Sequence, residues 1–546
     1  MFDVSETVDR LQVAPKSGTT PRGLRVRTWL ARPSLCVLLP ALLAFVAMAL
    51  PSMLAGTPEP QIHDEWGYLL SADTFAGGRL TNPTHPQWVQ FETVHQFHVP
   101  SYQSKYPPAQ AMFLALGQVL WHPILGVWIS GCCLVASLVW MLLAWVPARW
   151  AVGGGLFAIA QYLLQGQALS GGTHAYWSQS YWGGAVAATG GALLFGAVAR
   201  TVRGPRVRTS VAMVCGLLLM ANSRPQEGLL VSVPTAIYLL CWMVSSRAPA
   251  FEQQLRRLVL PVVLGLSAGG LGMARYNHAV TGDPLEMPWL THYEQYCVFP
   301  VFLWQEQPPN RDWRHPELAA FHGDLELTFF ERHAGLPKLT RTSVVKLVRF
   351  WIFYIGLLLI PLLLFLPRIL RDPWMRFLAL IVALVNLVGL ASFSALPHYS
   401  APVTGAVLAF VIQGLRHLAA LRRGSGFLPR QGFSILVFLV ALSGAAGLSS
   451  AVEDIALGRE HPRHVVQREL EAAPGKHLVF VSYGPLHQAA DEWVYNDGDI
   501  DAAKVVWARD MGAEGNAALV QTYPNHRLWR MRVRFDREPQ KPIPYE

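Results

Sequence analysis

Long apolar stretches alternate with polar segments along most of the chain. An α-helix needs about 20 apolar residues to cross the hydrocarbon core of a bilayer. We interpret eleven stretches as transmembrane helices, at residues 36–56, 124–146, 150–168, 181–199, 209–222, 226–245, 258–278, 347–366, 375–394, 398–415 and 432–450. The fifth stretch is short and ends at Asn222-Ser223-Arg224-Pro225, which suggests a broken helix. The pattern predicts an all-α polytopic membrane protein.

Three polar segments are too long to be simple connections between helices. They cover residues 57–123, 279–346 and 451–546. The first contains a further apolar run, Ala109–Trp121, which follows Pro107-Pro108. With 13 residues this run is short for a span. We therefore predict a helix that lies in, or dips into, the outer membrane interface.

The last segment alternates strand-like and helix-like runs. Residues typical of strands concentrate at His477–Tyr483, Val505–Ala508 and Arg527–Phe535. This pattern indicates a small α/β domain after the last span. The predicted organisation is an N-terminal tail at 1–35, a transmembrane domain at 36–450 with outer loops 57–123 and 279–346, and an accessory α/β domain at 451–546.

Composition supports the membrane interpretation. Hydrophobic residues make up 52% of the 546 residues and charged residues only 14%, compared with roughly 25% charged in soluble proteins. This much apolar side chain excludes a disordered chain. The six cysteines are too few and too badly placed for a disulfide framework.

The net charge of +9 follows mainly from the topology. Arginines concentrate before the first span and in alternate loops, whereas the turns near 170–180 and 393–397 carry no Lys or Arg. By the positive-inside rule, the N-terminus is cytoplasmic and the C-terminus extracytoplasmic. We expect a bacterial-type cytoplasmic membrane protein whose cations face lipid and cytoplasm. Nucleic acid is not an expected partner.

The densest polar cluster next to the outer face follows the first span. It reads Gln61-Ile62-His63-Asp64-Glu65-Trp66-Gly67-Tyr68 and leads into an amphipathic helical pattern. Carboxylates in a first helical turn are favoured by the helix dipole, so plain helix capping is one explanation for Asp64 and Glu65. Lys105 stands just before Pro107-Pro108, where a cation can bind lipid phosphate.

These motifs, in this order, resemble the GT-C glycosyltransferases, which include protein O-mannosyltransferases, lipid A aminoarabinose transferases and RgtA-type enzymes. The resemblance covers roughly residues 36–415. Its strongest part is the run from Asp64-Glu65 to Gly78-Arg79. The other matching points are Ser223-Arg224-Pro225-Gln226-Glu227-Gly228, Tyr276-Asn277, Thr281-Gly282-Asp283-Pro284-Leu285 and His398-Tyr399-Ser400-Ala401-Pro402.

The resemblance implies a polyprenyl-phosphate-linked sugar as donor and a hydroxyl of a lipid, glycan or protein as acceptor. It implies that Asp64 is the base of an inverting transfer and that Glu65 is a supporting carboxylate. A polyprenyl phosphate leaves as a stable anion, so one base and a cation can suffice.

The resemblance also implies cationic groups that bind the donor. Lys105 and Arg224 would hold the departing phosphate, although Lys105 is one residue from the position where some relatives carry the cation. Arg275 and His398 are candidates for binding donor phosphate or sugar. A packed histidine at a helix start is an equal alternative for His398.

A divalent metal stays an open alternative. Some members of the class hold one with acids in the outer loop after the third span, but residues 170–180 of this chain contain no acid. His63, His85, His95 and His98 are other potential ligands, and His95-x-x-His98 without a paired acid is a weak signal.

Two other functions compete with the glycosyltransferase hypothesis. A secondary transporter or flippase of lipid-linked sugars would also suit eleven spans and a broken helix. It is disfavoured because the acids cluster in an outer loop rather than at mid-depth. A non-catalytic, GT-C-like assembly protein is the second alternative. The chain has no GxxxxGK[ST] or GxGxxG motif for nucleotide binding.

Overall fold

The structure, a computed structural model, consists mostly of helices, many of which begin at a proline. It describes residues 30–164, 175, 177–333, 335–392, 396–421, 427–484, 487–534 and 541–545, with only the backbone at 427–430 and 432. Most of the predicted outer turn at 170–180 lies outside the described residues. So does most of the predicted N-terminal tail.

The apolar stretches of the sequence are helices. Those of the transmembrane region are α1 (Pro33–Ala55), α4 (Pro123–Leu142), α5 (Ala148–Ala158), α6 (Ala185–Thr201), α7 (Val207–Ala221), α8 (Pro225–Met243), α9 (Phe251–Thr281), α12 (Leu336–Tyr354), α13 (Leu359–Ile369), α14 (Pro373–Ala391), α15 (Thr404–Leu421) and α16 (Phe427–Arg459). Short π-helical segments lengthen α5 (Ile159–Leu164) and interrupt α9 (Leu255–Val259). A 3₁₀ segment, Pro397–Val403, precedes α15.

The predicted count of eleven spans is not confirmed. Seven described helices are long and apolar enough to cross a membrane, and a bent pair makes an eighth if it counts as one span. That pair is α12 and α13, which meet at 102°. Gly356 lies at the bend with φ of +54°, a conformation that favours glycine. The predicted eighth span, 347–366, is therefore not one straight helix. The fold class itself, all-α with a small α/β domain, is confirmed.

The core of the helical region lies between α1, α4, α6 and α15, which bury aliphatic and small side chains against each other. Small residues allow the close approach that membrane helices need. Gly191 of α6 is one such position, since a Cβ there would come within 1.8 Å of the Pro402 carbonyl oxygen. This contact fixes the 3₁₀ segment that carries His398 against α6.

The outer loops add short elements. In the first loop these are α2 (His63–Ala76), the hairpin of β1 (Gln96–Phe97) and β2 (Gln103–Ser104), and α3 (Pro108–Leu120). In the second they are α10 (Pro288–Tyr296) and α11, residues 316–331, whose middle part Ala319–Leu325 is π-helical. The predicted interfacial helix is thus a helix, α3, and its exposed face carries Met112, Leu116 and Val119.

The C-terminal domain has the predicted α/β character. Its helices are α17 (Pro462–Ala472) and α18 (Gly512–Thr522), and its strands are β3 (Lys476–Tyr483), β4 (Val505–Arg509), β5 (His526–Val533) and β6 (Ile543–Pro544). The sheet has the order β4-β3-β5-β6. Strand β3 is parallel to both β4 and β5, whereas β6 is antiparallel to β5. The three predicted strands are confirmed to within two residues at each end.

This domain packs on the first outer loop. The buried guanidinium of Arg509 binds the Glu492 carboxylate at 2.7 Å and donates to the Glu92 carbonyl oxygen at 2.7 Å. The ring of Trp66 in α2 stacks on Tyr495, with ring centroids 5.0 Å apart, and Arg463 lies 4.0 Å from the centroid of the same indole. The C-terminal domain therefore holds the helix that carries the Asp64-Glu65 pair.

Candidate active site

Asp64 lies in the first turn of α2 and is bonded from two sides. The hydroxyl of Tyr106 donates to Oδ1 at 2.5 Å, and Nε2 of His63 lies 3.1 Å from Oδ2. Burial opposes the charged form of this carboxylate, but His63, Lys105 and Tyr106 more than offset it, so the pKa of Asp64 is lowered well below its usual range. Asp64 is therefore a carboxylate at neutral pH, available to accept a proton.

Glu65, the next residue, is bound differently. Its Oε1 accepts hydrogen bonds from the Ser180 hydroxyl at 2.6 Å and the Tyr181 amide at 3.0 Å. Its Oε2 accepts from the backbone amides of Gln61 at 2.8 Å and Ile62 at 3.2 Å. With both oxygens occupied and the side chain buried, Glu65 ties the start of α2 to the 177–184 segment.

Tyr106 is held in place by close packing at Gly67. Its ring stacks on that of Tyr68, with centroids 4.4 Å apart. A Cβ at Gly67 would come within 2.9 Å of the Tyr106 ring and of Ser104 Oγ. The missing side chain at Gly67 thus allows the tyrosine to reach Asp64, and no sequence signal pointed to Tyr106 beyond its place next to Lys105.

Lys105 extends from the end of β2 to a histidine. Its Nζ lies 2.7 Å from Nδ1 of His95. The main chain of His95 has φ of +65°, which is uncommon for a residue other than glycine and occurs often at functional sites. Burial and the charge of Lys105 lower the pKa of His95 well below its usual value. The neutral imidazole therefore accepts a hydrogen bond from the ammonium group.

Arg224 and His398 form a second group of site residues. Arg224 caps the start of α8, and its guanidinium lies 4.5 Å from the centroid of the Tyr399 ring. His398 is buried between Trp182 and Tyr399, with ring centroids 4.4 Å and 4.7 Å away. A histidine packed by two aromatic rings agrees with either of the two predicted roles, ligand binding or helix-start packing.

The two groups lie close enough for their charges to act on the same side chains. The charges of Asp64 and Arg224 both act on Tyr68, and both act on His398. A backbone hydrogen bond of 2.9 Å from Ala109 to Asn222 joins the start of α3 to the turn before Arg224. Five of the six predicted site residues thus converge on the start of α2.

Arg275 is the exception. It is exposed on α9, and within the described part of the chain it makes no hydrogen bond or ion pair with the other five. Its neighbours Tyr276 and Asn277 are buried and hold the loop after α9. The structure therefore gives no support to the predicted role of Arg275.

Asp64 lies next to two histidines of a type that can ligate a metal ion. His63, Asp64 and His95 offer ligand atoms that lie within 4.8 Å of one another. However, the ammonium group of Lys105 already binds His95 and would repel a divalent cation at that place. His85 and His98, the other predicted ligands, are buried elsewhere, and Nε2 of His98 donates to the Phe91 carbonyl oxygen. The residues present thus do not fit a metal bound by Asp64.

The charge around Asp64 predicts a pH effect. We expect His63→Gln to raise the pKa of Asp64, because it removes an imidazole whose electrostatic effect and hydrogen bond favour the carboxylate. Activity that needs this carboxylate would then be lost at a higher pH on acidification than in the wild type. A pH–rate profile checks this, with the exposed His278→Gln as control. Identical acid limbs in both variants would contradict the assignment.

Solved structures give weak similarities to this chain. ArnT from Cupriavidus metallidurans bound to undecaprenyl phosphate is 14% identical, with 91% of this chain and 92% of that chain covered and a TM-score of 0.48. The Archaeoglobus fulgidus oligosaccharyltransferase in complex with Zn and sulfate is 12% identical, with 90% and 67% covered and a TM-score of 0.47. The same organism's AglB with an inhibitory peptide and a dolichol-phosphate is 11% identical, with 91% and 69% covered and a TM-score of 0.46.

These proteins are GT-C glycosyltransferases, the class that the sequence motifs resemble. Because the TM-scores lie below 0.5, the likeness carries no argument for the function of this chain. No protein-family model and no curated protein matches the sequence.

Proposed function

We propose that this chain is a membrane glycosyltransferase of the GT-C type that moves a sugar from a polyprenyl-phosphate donor to an acceptor hydroxyl at the outer face of the membrane. The single observation that supports the proposal most strongly is the environment of Asp64. Asp64 is an ionised carboxylate bound by Tyr106 and lies among cationic side chains at the edge of a largely apolar helical domain. One base beside cations is what this transfer requires.

Asp64 is the proposed base. Its carboxylate takes the proton of the acceptor hydroxyl while that oxygen attacks the anomeric carbon of the sugar. The bond from this carbon to the phosphate oxygen breaks on the opposite side, so the configuration inverts. The Tyr106 hydrogen bond fixes the orientation of the carboxylate before the acceptor arrives.

Lys105 and Arg224 are the proposed phosphate-binding residues. The polyprenyl phosphate departs with the electron pair of the broken bond and gains negative charge as it leaves. Fixed cations stabilise that charge without reorganisation during the reaction. Lys105 is held by His95, and Arg224 lies over the Tyr399 ring, so both side chains have defined positions. No acid is needed to protonate this leaving group.

The other site residues have supporting roles. Glu65 is a positioning residue, because both of its oxygens hold the backbone and side chains around the start of α2. His398 and Trp182 are candidates for the surface that the sugar of the donor contacts, since aromatic rings present flat apolar faces. The lipid chain would lie among the apolar helices.

The C-terminal domain is proposed to serve acceptor binding or assembly. A small cavity opens between α2 and this domain, and the residues around it include His63, Trp66, His461, Asp491 and Tyr495. It lies beside the base, on the side where α2 meets the domain. An acceptor that approached through it would reach Asp64 next to His63.

A transporter is the competing function, and the position of the acids disfavours it. Coupling sites of secondary transporters lie near mid-membrane. The acidic residues of the described membrane helices lie instead towards helix ends, at Glu227, Glu252, Glu453 and Asp454. The outer location of Asp64 favours chemistry at the membrane surface.

Native mass spectrometry of the detergent-purified chain tests the proposed substrate class. We expect a bound mass that corresponds to a polyprenyl phosphate carrying one sugar. A chain that carries only ordinary phospholipid, and whose thermal stability responds to a transported solute instead, would contradict the proposal. The sugar itself would be identified from the mass difference to the free polyprenyl phosphate.

A further inference from the structure

A second group of ligand-type side chains lies in the outer loop 279–346, apart from Asp64. Cys297 follows the end of α10, and His322 and Glu326 stand four residues apart on α11. One ligand atom from each of the three lies within 4.8 Å of the other two. All three are buried, with 3%, 0% and 8% of their surface exposed.

This composition is typical of zinc ligands rather than of calcium or magnesium ligands. Zn²⁺ takes thiolate, imidazole and carboxylate ligands, most often four in a tetrahedron. Ca²⁺ and Mg²⁺ take oxygen ligands and avoid thiolate. A cysteine, a histidine and a glutamate at one buried point therefore indicate a borderline-soft ion.

Two buried imidazole nitrogens lack a hydrogen-bond partner among the described residues. They are Nε2 of His322 and Nε2 of His292, and the two rings lie 5.5 Å apart. His292 is 1% exposed and stands on α10, five residues before Cys297. Unpartnered polar atoms are costly when buried. A metal ion bound by Nε2 of His292 would remove that cost at this atom.

The local backbone places these ligands together. His322 lies in the π-helical part of α11, a wider turn that is uncommon and often found at functional sites. The Nδ1 atom of His322 lies 2.6 Å from the Glu326 carboxylate. A metal ion between these two atoms would replace this hydrogen bond with one bond to the imidazole and one to the carboxylate.

We propose that Cys297, His322 and Glu326 bind a zinc-type transition-metal ion, with His292 as the fourth ligand. The ion would link α10 to α11 and so hold the outer loop 279–346 in one arrangement. The thiol of Cys297 gives up a proton when the metal binds, and the thiolate and carboxylate then neutralise the two positive charges of the ion.

The site adjoins the proposed phosphate-binding region. The charge of Lys105 acts on both Cys297 and His292, and the rings of His95 and His322 lie 6.2 Å apart. A neutral metal centre would not repel Lys105, in contrast to a cation bound at Asp64. The ion would thus position the loop behind Lys105 without taking part in sugar transfer.

Metal titration of the full-length, chelator-treated protein in detergent tests the proposal. With Co²⁺ as probe, we expect one bound ion and a thiolate-to-cobalt charge-transfer band. Cys297→Ser should abolish the band, and both Cys297→Ser and Glu326→Gln should weaken binding by about tenfold or more, because each removes a ligand. The matched control is Cys215→Ser, at an exposed cysteine of α7. No band in the wild type, or an unchanged band in Cys297→Ser, would overturn the proposal.

A second measurement needs no variant of the site. Zn²⁺ should protect Cys297 of the wild-type protein from alkylation, as read by peptide mass spectrometry, and equal alkylation with and without Zn²⁺ would overturn the proposal. The test is independent of the proposed function, because the Asp64→Asn chain should bind Co²⁺ as the wild type does. Loss of the band in Asp64→Asn would instead place the ion at Asp64 and overturn this assignment.

Discussion

Replacing Asp64 by asparagine is expected to reduce sugar transfer by about 100-fold or more, which is the lower end of what a positioned general base contributes. Asparagine has the same shape and can still accept the Tyr106 hydrogen bond, so the start of α2 keeps its structure. It cannot take a proton from the acceptor. The variant should therefore insert, purify and unfold like the wild type while transfer is lost, as a transfer assay together with thermal unfolding would show.

The matched control is Asp312→Asn. Asp312 is an exposed acid in the second outer loop, and the substitution makes the same chemical change outside the site. We expect activity close to that of the wild type. Full activity in Asp64→Asn, or an equal loss in both variants, would mean that Asp64 is a helix-capping residue and that the proposed mechanism is wrong.

The second large effect is expected at Arg224. Replacing it by alanine should lower the transfer rate by about 100-fold, since one fixed group that stabilises developing charge is typically worth that much. Arg224→Lys keeps the charge but loses the planar contact with Tyr399, so it should recover part of the rate. Transfer kinetics with the donor varied would separate the loss of rate from the loss of donor binding.

Arg275→Ala is the natural control for this variant. The resemblance makes Arg224 a residue that holds the departing phosphate and Arg275 a candidate for binding donor phosphate or sugar, whereas the structure leaves Arg275 exposed and without a hydrogen bond or ion pair to the described site residues. Arg275→Ala should therefore transfer sugar almost as fast as the wild type. If Arg275→Ala lost as much activity as Arg224→Ala, the arrangement of site residues described above would be incorrect.

Much of the fold could be predicted from hydrophobic patterning because each membrane helix is a continuous apolar run. The strands of the C-terminal domain were also predictable, since β3 and β4 are largely buried runs that combine valines with aromatic residues. The bend between α12 and α13 could not be predicted. Its cause is a local turn at Gly356 inside a stretch that stays apolar throughout.

The site could be predicted from the sequence only where its residues are adjacent in one segment. Asp64 and Glu65 stand out as two acids beside a membrane span, but their different roles depend on partners far away in sequence. Tyr106 binds Asp64, and Ser180 binds Glu65. For the same reason, the sequence does not indicate that Cys297, His322 and Glu326 form one group, because two helices and a long loop bring them to one point.

The central claim, that the chain breaks the bond between a sugar and polyprenyl phosphate, is tested most directly by following the fate of that bond. The purified chain in vesicles would be given a sugar-labelled polyprenyl-phosphate donor, with a membrane extract of the cells that make the chain as source of acceptor. We predict that the label moves to an acceptor and free polyprenyl phosphate accumulates with the wild type but not with Asp64→Asn. Label that crosses the bilayer still attached to its lipid, equally with both chains, would contradict the account.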